Sequence, residues 1–308
     1  MWDIVGKKWF YFIFSGLVII PGLISLFAFG LRPSIDFTGG TLWEFKISQP
    51  LGGEEAKINA EFIRGLIAKE GHEVSAIQTS GKKTYLLRLK PLSQEDKGKI
   101  QKALEEKAGK MEELRFETVG PVVSRELTKK ALWAIGLALV MIVLYIAWAF
   151  RQVPKPASSW RFGVCAVFAL VHDTLVVTGI FSLLGHFYQV EIDTLFITAL
   201  LTVIGFSNHD TIVVFDRIRE NLKKMPGLPF AQIVNESILQ TLTRSLNTTL
   251  TVVFVLLALL LLGGTTLRWF VTALLIGVVS GTYSSVFNAS PLLVVWHEWS
   301  LKRKKSKS

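Results

Sequence analysis

Six stretches of about 20 apolar residues, at 9–29, 131–150, 162–185, 192–215, 246–262 and 270–296, constrain this 308-residue chain more than any other feature. At ~1.5 Å per residue a helix of that length crosses a hydrocarbon core roughly 30 Å thick, where only helices and closed barrels satisfy their own backbone. The runs predict six transmembrane α-helices. Composition agrees, since half the residues are hydrophobic and 19% are charged, against about a quarter in soluble domains. The first run follows Lys7 and Lys8 as a signal peptide would, but its 21 residues exceed the usual apolar segment of about 7–15. It predicts an uncleaved helix kinked at Pro21-Gly22.

The net charge of +10 lies mostly beside these runs, because outside residues 36–130 there are 17 Lys and Arg against 9 acids. The bases line no aromatic-interleaved groove, which excludes nucleic acid as a partner. They fit topology anchors and contacts with anionic membrane lipids. Lys7, Lys8, Arg151, Lys155, Arg161, Arg217, Arg219, Lys223, Lys224, Arg244 and the tail bases Lys302 to Lys307 fall on one side, while the short loops 186–191 and 263–269 carry only Arg268. The positive-inside rule then makes both termini cytoplasmic. The expected organisation is a first transmembrane helix at 1–30, an extracytoplasmic α+β domain at 31–130, five further helices at 131–296 and a basic cytoplasmic tail at 297–308. Cys165 is the single cysteine, so disulfides and cysteine-built metal sites are excluded.

The inserted segment alternates strand and helix patterns. Thr41–Ile47 reads as a strand, 54–70 as a helix with Ile58, Phe62, Leu66 and Ile67 on one face, and 74–79 as extended. After a turn at Ser80-Gly81, Lys83–Lys90 is extended, 93–108 is helical and 114–119 is a last strand. The order βαββαβ is that of a ferredoxin-like unit without a catalytic cluster. His72 reads as a surface loop residue, and Gly39-Gly40 as a turn into the first strand.

Charges inside the spans point to function, since each costs roughly 2.5–3.5 kcal/mol at a helix centre. Asp173 sits near the middle of the third span, Asp210 in the inner third of the fourth, and Arg244 opens the fifth from the same side, so Asp210 and Arg244 are placed to pair. His172-Asp173-Thr174 and His209-Asp210-Thr211 echo each other, either by chance or as two protonatable pairs in one bundle. Ser207, Asn208, Asn247, Thr248 and Thr249 add polar groups, which fit helix glue as well as a proton path. His209 suits a proton relay or a packed residue equally. His297-Glu298 lacks the second histidine of a zinc helix, and no protease triad or cofactor motif is present. Gly277 and Gly281 form a GxxxG helix contact, Asp193 reads as an N-cap, and 229–243 reads as an interfacial helix.

These residues together resemble the SecF subunits of the SecD–SecF protein-export complexes, within the resistance-nodulation-division superfamily. The resemblance runs through Ile35-Asp36-Phe37-Thr38-Gly39-Gly40-Thr41, Val119-Gly120-Pro121, Leu170-Val171-His172-Asp173 and Thr202–Ser207. It continues through Asp210-Thr211, Val213–Asn221 with Asp216 and Arg217, and Gln240–Thr249. It implies a translocation subunit, not an enzyme, that uses the proton-motive force to help draw preproteins through the SecYEG channel after the SecA ATPase has driven them in. It places the proton-path aspartate on Asp210 and its arginine on Arg244; His209 stands where the family has a neutral amide. The implied setting is the bacterial cytoplasmic membrane, beside a separate SecD-like subunit, SecYEG and the accessory subunit YajC. A proton-driven exporter of lipids or small solutes is the rival reading, and the outer domain of about 90 residues is small for its funnel.

Overall fold

The computed structural model describes residues 2–50, 58–80, 84–151, 153–154 and 157–305. Positions 54–57, Gly81, Lys83, Lys155 and Lys307, on which parts of the sequence reading rest, lie outside the described residues. In chain order the elements are α1 (Lys8–Ala28), α2 (Ile35–Thr38), β1 (Gly40–Pro50), α3 (Ala60–Lys69), β2 (Val74–Ser80), β3 (Thr84–Leu89), α4 (Gln94–Ala108) and β4 (Gly109–Val119). They continue with α5 (Pro121–Ala149), α6 (Ser159–Tyr188), α7 (Thr194–Lys224), α8 (Phe230–Leu262), α9 (Arg268–Ser284), a π-helical turn (Ser285–Ala289) and α10 (Ser290–Lys305). The chain divides into a helical unit of residues 1–32 and 133–308 and a second unit of residues 33–132.

Six helices of the described chain are long and apolar enough to span a membrane, counting α9 to α10 as one. They outrun the apolar runs that announced them. The helix around 192–215 continues to Lys224, the one around 131–150 begins at Pro121, and α1 passes through Pro21 without interruption. Hydropathy stops where side chains turn polar, whereas the backbone ladder continues as long as nothing breaks it. The segment 229–243 is therefore no separate interfacial helix. It is the first part of α8, and its Ile233, Val234 and Ile238 are buried in the main helical core. The described part of the basic tail is helical, because α10 runs to Lys305.

Helices α6 and α7 and the span from α9 to α10 are the most buried, and α5 packs most loosely. Small residues set the spacing. A Cβ at Gly22 of α1 would lie 2.9 Å from the Gly179 Cα of α6, so the two backbones touch. Nearby Ser182 donates to the Gly30 carbonyl at 2.7 Å and lies 2.7 Å from Ser25 Oγ. With no hydrophobic drive between helices in lipid, such close approach and polar pairing hold the seam. At one end Phe150, Phe162 and Phe215 cluster with ring centroids 5.0–5.7 Å apart. The amide of Asn235 on α8 accepts from the Ile4 and Val5 backbones and donates to the Trp2 carbonyl, so the buried N-terminal residues clamp α8.

The second unit is the ferredoxin-like βαββαβ fold, an antiparallel sheet in the order β2-β3-β1-β4. Strict alternation on β3 buries Tyr85, Leu87 and Leu89 with Trp43, Phe45 and Ile47 of β1. Ile63, Leu66 and Ile67 of α3 and Ile100 and Leu104 of α4 close that core. Asn59 and Ser93 cap the two helices, accepting from the Phe62 and Asp96 backbone N–H groups. The last strand starts at Gly109, five residues before the Leu114 expected from hydropathy, because the charged stretch Lys110–Glu113 pairs across β1 from Gln49 to Phe45. Gly39 and Gly40 adopt φ of 73° and 123°, and a Cβ at Gly40 would meet the Leu89 carbonyl oxygen at 2.8 Å, so glycine is required there.

Two stability outcomes follow from this packing. Gly179→Val should force α1 from α6 and cost about 1–3 kcal/mol, read as a lower thermal midpoint in detergent, whereas Gly136→Ala, with nothing within 4 Å, should not lower it. Trp43→Ala should cost about 3–5 kcal/mol and unfold the ferredoxin-like unit first, as followed by proteolysis.

Candidate proton-handling site in the helical unit

The third-span aspartate is more thoroughly coordinated than the sequence suggests. Asp173 is 1% exposed. Its Oδ1 lies 2.9 Å from His172 Nδ1 and accepts from Ser280 Oγ at 2.8 Å; its Oδ2 accepts from Ser284 Oγ at 2.7 Å and from Ser207 Oγ. Three hydroxyls and an imidazole thus converge from α6, α7 and α9. Such a set replaces the hydration that an ionised carboxylate loses on burial. His172 reaches on through Nε2, 3.1 Å from Ser15 Oγ on α1, and Ser15 contacts Asn288 in the π-helical turn.

Asp210, 3% exposed, is served from the other side of α9. Thr282 Oγ1 donates to its Oδ2 at 2.9 Å and lies 2.6 Å from Thr249 Oγ1 of α8. Since the Thr282 hydrogen is used on Asp210, Thr249 must donate to Thr282. At about 100° per residue, Ser280 and Ser284 share one face of α9 and Thr282 the opposite one. α9 therefore stands between the two carboxylates. The glycines expected to make a helix contact allow this: a Cβ at Gly277 would collide with Val203, and one at Gly281 would come within 2.8 Å of Ser207 Cβ. Both clashes are with α7.

The π-helical turn follows directly. Ser285 Oγ donates to the Gly281 carbonyl at 2.8 Å and lies 2.7 Å from Thr211 Oγ1, one residue after Asp210. Such single-turn widenings recur at functional sites, because they re-aim side chains that a regular helix would space evenly.

The expected Asp210–Arg244 ion pair is not formed: no contact within 4.0 Å joins them, and Arg244 is exposed. Its position explains this. Asp210 faces α9, while Arg244 sits midway along α8 rather than at its start and points outward. His209 is exposed, and Asn208 Oδ1 and Ser245 Oγ are buried without a hydrogen-bond partner. Asp193 caps α7 by accepting from the Phe196 N–H at 2.8 Å.

The remaining motif residues belong to other elements or to the C-terminal part of α7. Asp36 starts α2, Gly39 and Gly40 form the turn into β1, and Gly120-Pro121 opens α5, with proline in the first helical position, where its missing N–H costs nothing. Asp216 and Arg217 are on the last turns of α7 and pair with Arg219 at 2.6 Å and Glu220 at 2.7 Å respectively. Ser15, Thr282 and Asn288 escaped sequence reasoning. The signal available was a lone amide, Asn288, in an apolar run, and a serine in the first span.

Comparisons with known proteins agree with this architecture. The family described as "Protein export membrane protein SecD/SecF, C-terminal" matches residues 99–299, and the "SecD/SecF GG Motif" matches 24–50. A protein translocase subunit SecF from Thermobaculum terrenum is 49% identical over 96% of this chain and 94% of its own length. One from Anaerolinea thermophila is 42% identical over 97% of this chain and 96% of its own length. The crystal structure of SecDF from Thermus thermophilus, a translocon-associated membrane protein, superposes with a TM-score of 0.79 at 36% identity, covering 97% of this chain but only 40% of that one. The chain belongs to the SecD/SecF family of protein-export membrane proteins, as a SecF-type translocase subunit.

Proposed function

We propose that this subunit uses the proton-motive force, together with a SecD-like partner in the bacterial cytoplasmic membrane, to complete preprotein movement through SecYEG, with YajC among its neighbours. Both termini are cytoplasmic and residues 31–130 extracytoplasmic in this reading, as the distribution of Lys and Arg requires.

The observation that carries it is a mismatch of charge. Asp210 is buried against α9, while its expected counter-ion Arg244 is exposed halfway along an apolar helix. Arg244 opens the apolar run 246–262, and a guanidinium facing lipid at that edge is unfavourable unless it snorkels or finds a partner. It calls for a covering subunit. Asn247, Thr248 and Thr251 continue a polar exposed stripe on α8, and Thr198, Thr202, Gly205 and His209 form one at helical spacing on neighbouring α7. The SecDF relatives supply a second half within one chain: this chain matches 35% of the Thermus thermophilus protein's length.

The chemistry is an exchange of neutralising charges. When Arg244 swings onto Asp210, the pair is neutral without a proton; when it withdraws to the partner surface, a proton takes its place. The hydroxyl chain Thr249–Thr282–Asp210 lies at the α8–α9 contact and offers that proton a path. Asp173, through Ser207, is tied to the same helix.

In vesicles containing the chain and its SecD-like partner, a proton gradient should speed completion of preprotein translocation, and Asp210→Asn or Arg244→Gln should abolish that gain while the complex still assembles. Full retention in Asp210→Asn would make the aspartate structural. Thr282→Val should reduce the gradient-dependent rate about tenfold, the worth of one hydrogen bond to a charged group, and Thr282→Ser should restore most of it.

A further inference from the structure

We propose that His172 and Asp173 form a second proton-holding site, distinct from Asp210, in which the imidazole takes up and releases a proton at Nε2 and the Ser15–Asn288 pair is the switch. The two nitrogens of His172 have unlike surroundings. Nδ1 faces Asp173 Oδ1 at 2.9 Å, and Nε2 faces Ser15 Oγ at 3.1 Å. Asp173 also receives the hydroxyls of Ser207, Ser280 and Ser284. Three hydroxyls directed at the carboxyl suit an anion, and in this proposal the hydrogen shared with His172 therefore sits on Nδ1. Nε2 alone is left to change.

Ser15 has one hydrogen and two acceptors for it. Its Oγ is 3.1 Å from His172 Nε2 and 3.1 Å from Asn288 Oδ1, while Asn288 Nδ2 donates to it at 2.8 Å. With a neutral ring, Ser15 donates to Nε2. With an imidazolium, Nε2–H donates to Ser15 Oγ, and the Ser15 hydrogen turns to Asn288 Oδ1. No heavy atom has to move; with the imidazolium every polar atom of the relay is partnered, and with the neutral ring Asn288 Oδ1 gives up the Ser15 hydrogen. A purely structural histidine needs one arrangement; this one has two that differ by a single hydrogen bond, so the Ser15–Asn288 contact sets the balance between them.

The charges close as well. Among the described residues no Lys or Arg forms an ion pair with Asp173, so the imidazolium is its counter-charge, and the three hydroxyls hold the anion when the ring is neutral. The other titratable groups close to this pair are Tyr283 of α9, stacked near the ring at 6.4 Å, Tyr11 of α1, whose carbonyl accepts from Tyr283, and Asp210 of α7 behind α9. None is a cation. His172 and Ser15 line a groove of about 570 Å³ between α1, α6 and α9, with half-exposed Phe14 and Val279 at its rim, so the Nε2 side is not sealed. Asn288 owes its place to the π-helical turn, which gives that turn a function.

The ring itself reports on this site, so the proposal stands or falls apart from the translocation reading. The chain would be reconstituted in bilayers with ¹⁵N-labelled histidine and followed by solid-state NMR, with His172→Gln identifying its signal among the five histidines. Between about pH 5 and 9, the range in which histidines titrate, the expected spectra pass from imidazolium to a neutral ring protonated on Nδ1. Asn288→Leu should lower the ratio of imidazolium to neutral ring about tenfold at fixed pH, and Ser15→Ala at least as much. A ring that keeps one form throughout, a neutral form protonated on Nε2, or an unchanged ratio in both variants would overturn the proposal. Should neither variant fold, the wild-type titration alone decides.

Discussion

Holding two carboxyl groups inside an apolar bundle is the constraint on which the helical unit depends. Asp173 and Asp210 each forfeit hydration that lipid and aliphatic side chains cannot return, so hydroxyls must be delivered to within hydrogen-bond distance. Both are supplied chiefly by α9, which places Ser280 and Ser284 on one side and Thr282 on the other. That helix can serve both only by lying almost in contact with α7, and Gly277 and Gly281 permit the approach. A side chain at either glycine would lengthen several hydrogen bonds at once. The small-residue seam and the polar network are thus one device.

The two units are stabilised by different physics. In the ferredoxin-like unit, burial of Trp43, Phe45 and Leu87 between sheet and helices draws on the hydrophobic effect, and the charged outer residues stay in water. The Ser93 hydroxyl holds the exposed Asp96 carboxyl below the usual carboxylate range, so this local contribution is present above the ordinary Asp range and lost as pH falls through the lowered one. In the helical unit many large apolar side chains face outward, as Trp133, Leu137 and Leu144 of α5 do, and those contribute nothing to helix association in lipid. Association falls to close backbone contact at Gly22–Gly179 and to side-chain hydrogen bonds such as Ser25–Ser182.

Much of this was legible in the residues. The six apolar runs are visible because a membrane demands length and hydropathy together, and the βαββαβ order because one buried face imposes period 2 or 3.6. The misjudged ends have one cause: apolarity marks where a helix meets lipid, not where its hydrogen bonds stop. Hence Phe230–Thr243 looked like a separate helix although α8 runs through it, and β4 was shortened because Lys110–Glu113 is charged on a strand whose outer face meets water. The absent Asp210–Arg244 contact has another cause. Depth along a helix can be counted, but azimuth depends on where neighbouring helices sit.

The sequence by itself determined the number of spans, the ferredoxin-like insertion and which carboxylates would be costly to bury, since these follow from composition over lengths set by the bilayer and from local periodicity. Only the tertiary structure decided which groups meet them. Ser15, Ser207, Ser280, Ser284 and Asn288 come to the His172–Asp173 pair from four segments spread over most of the chain. Helix packing and a single π-helical turn set those distances, and neither is written in any one stretch of residues.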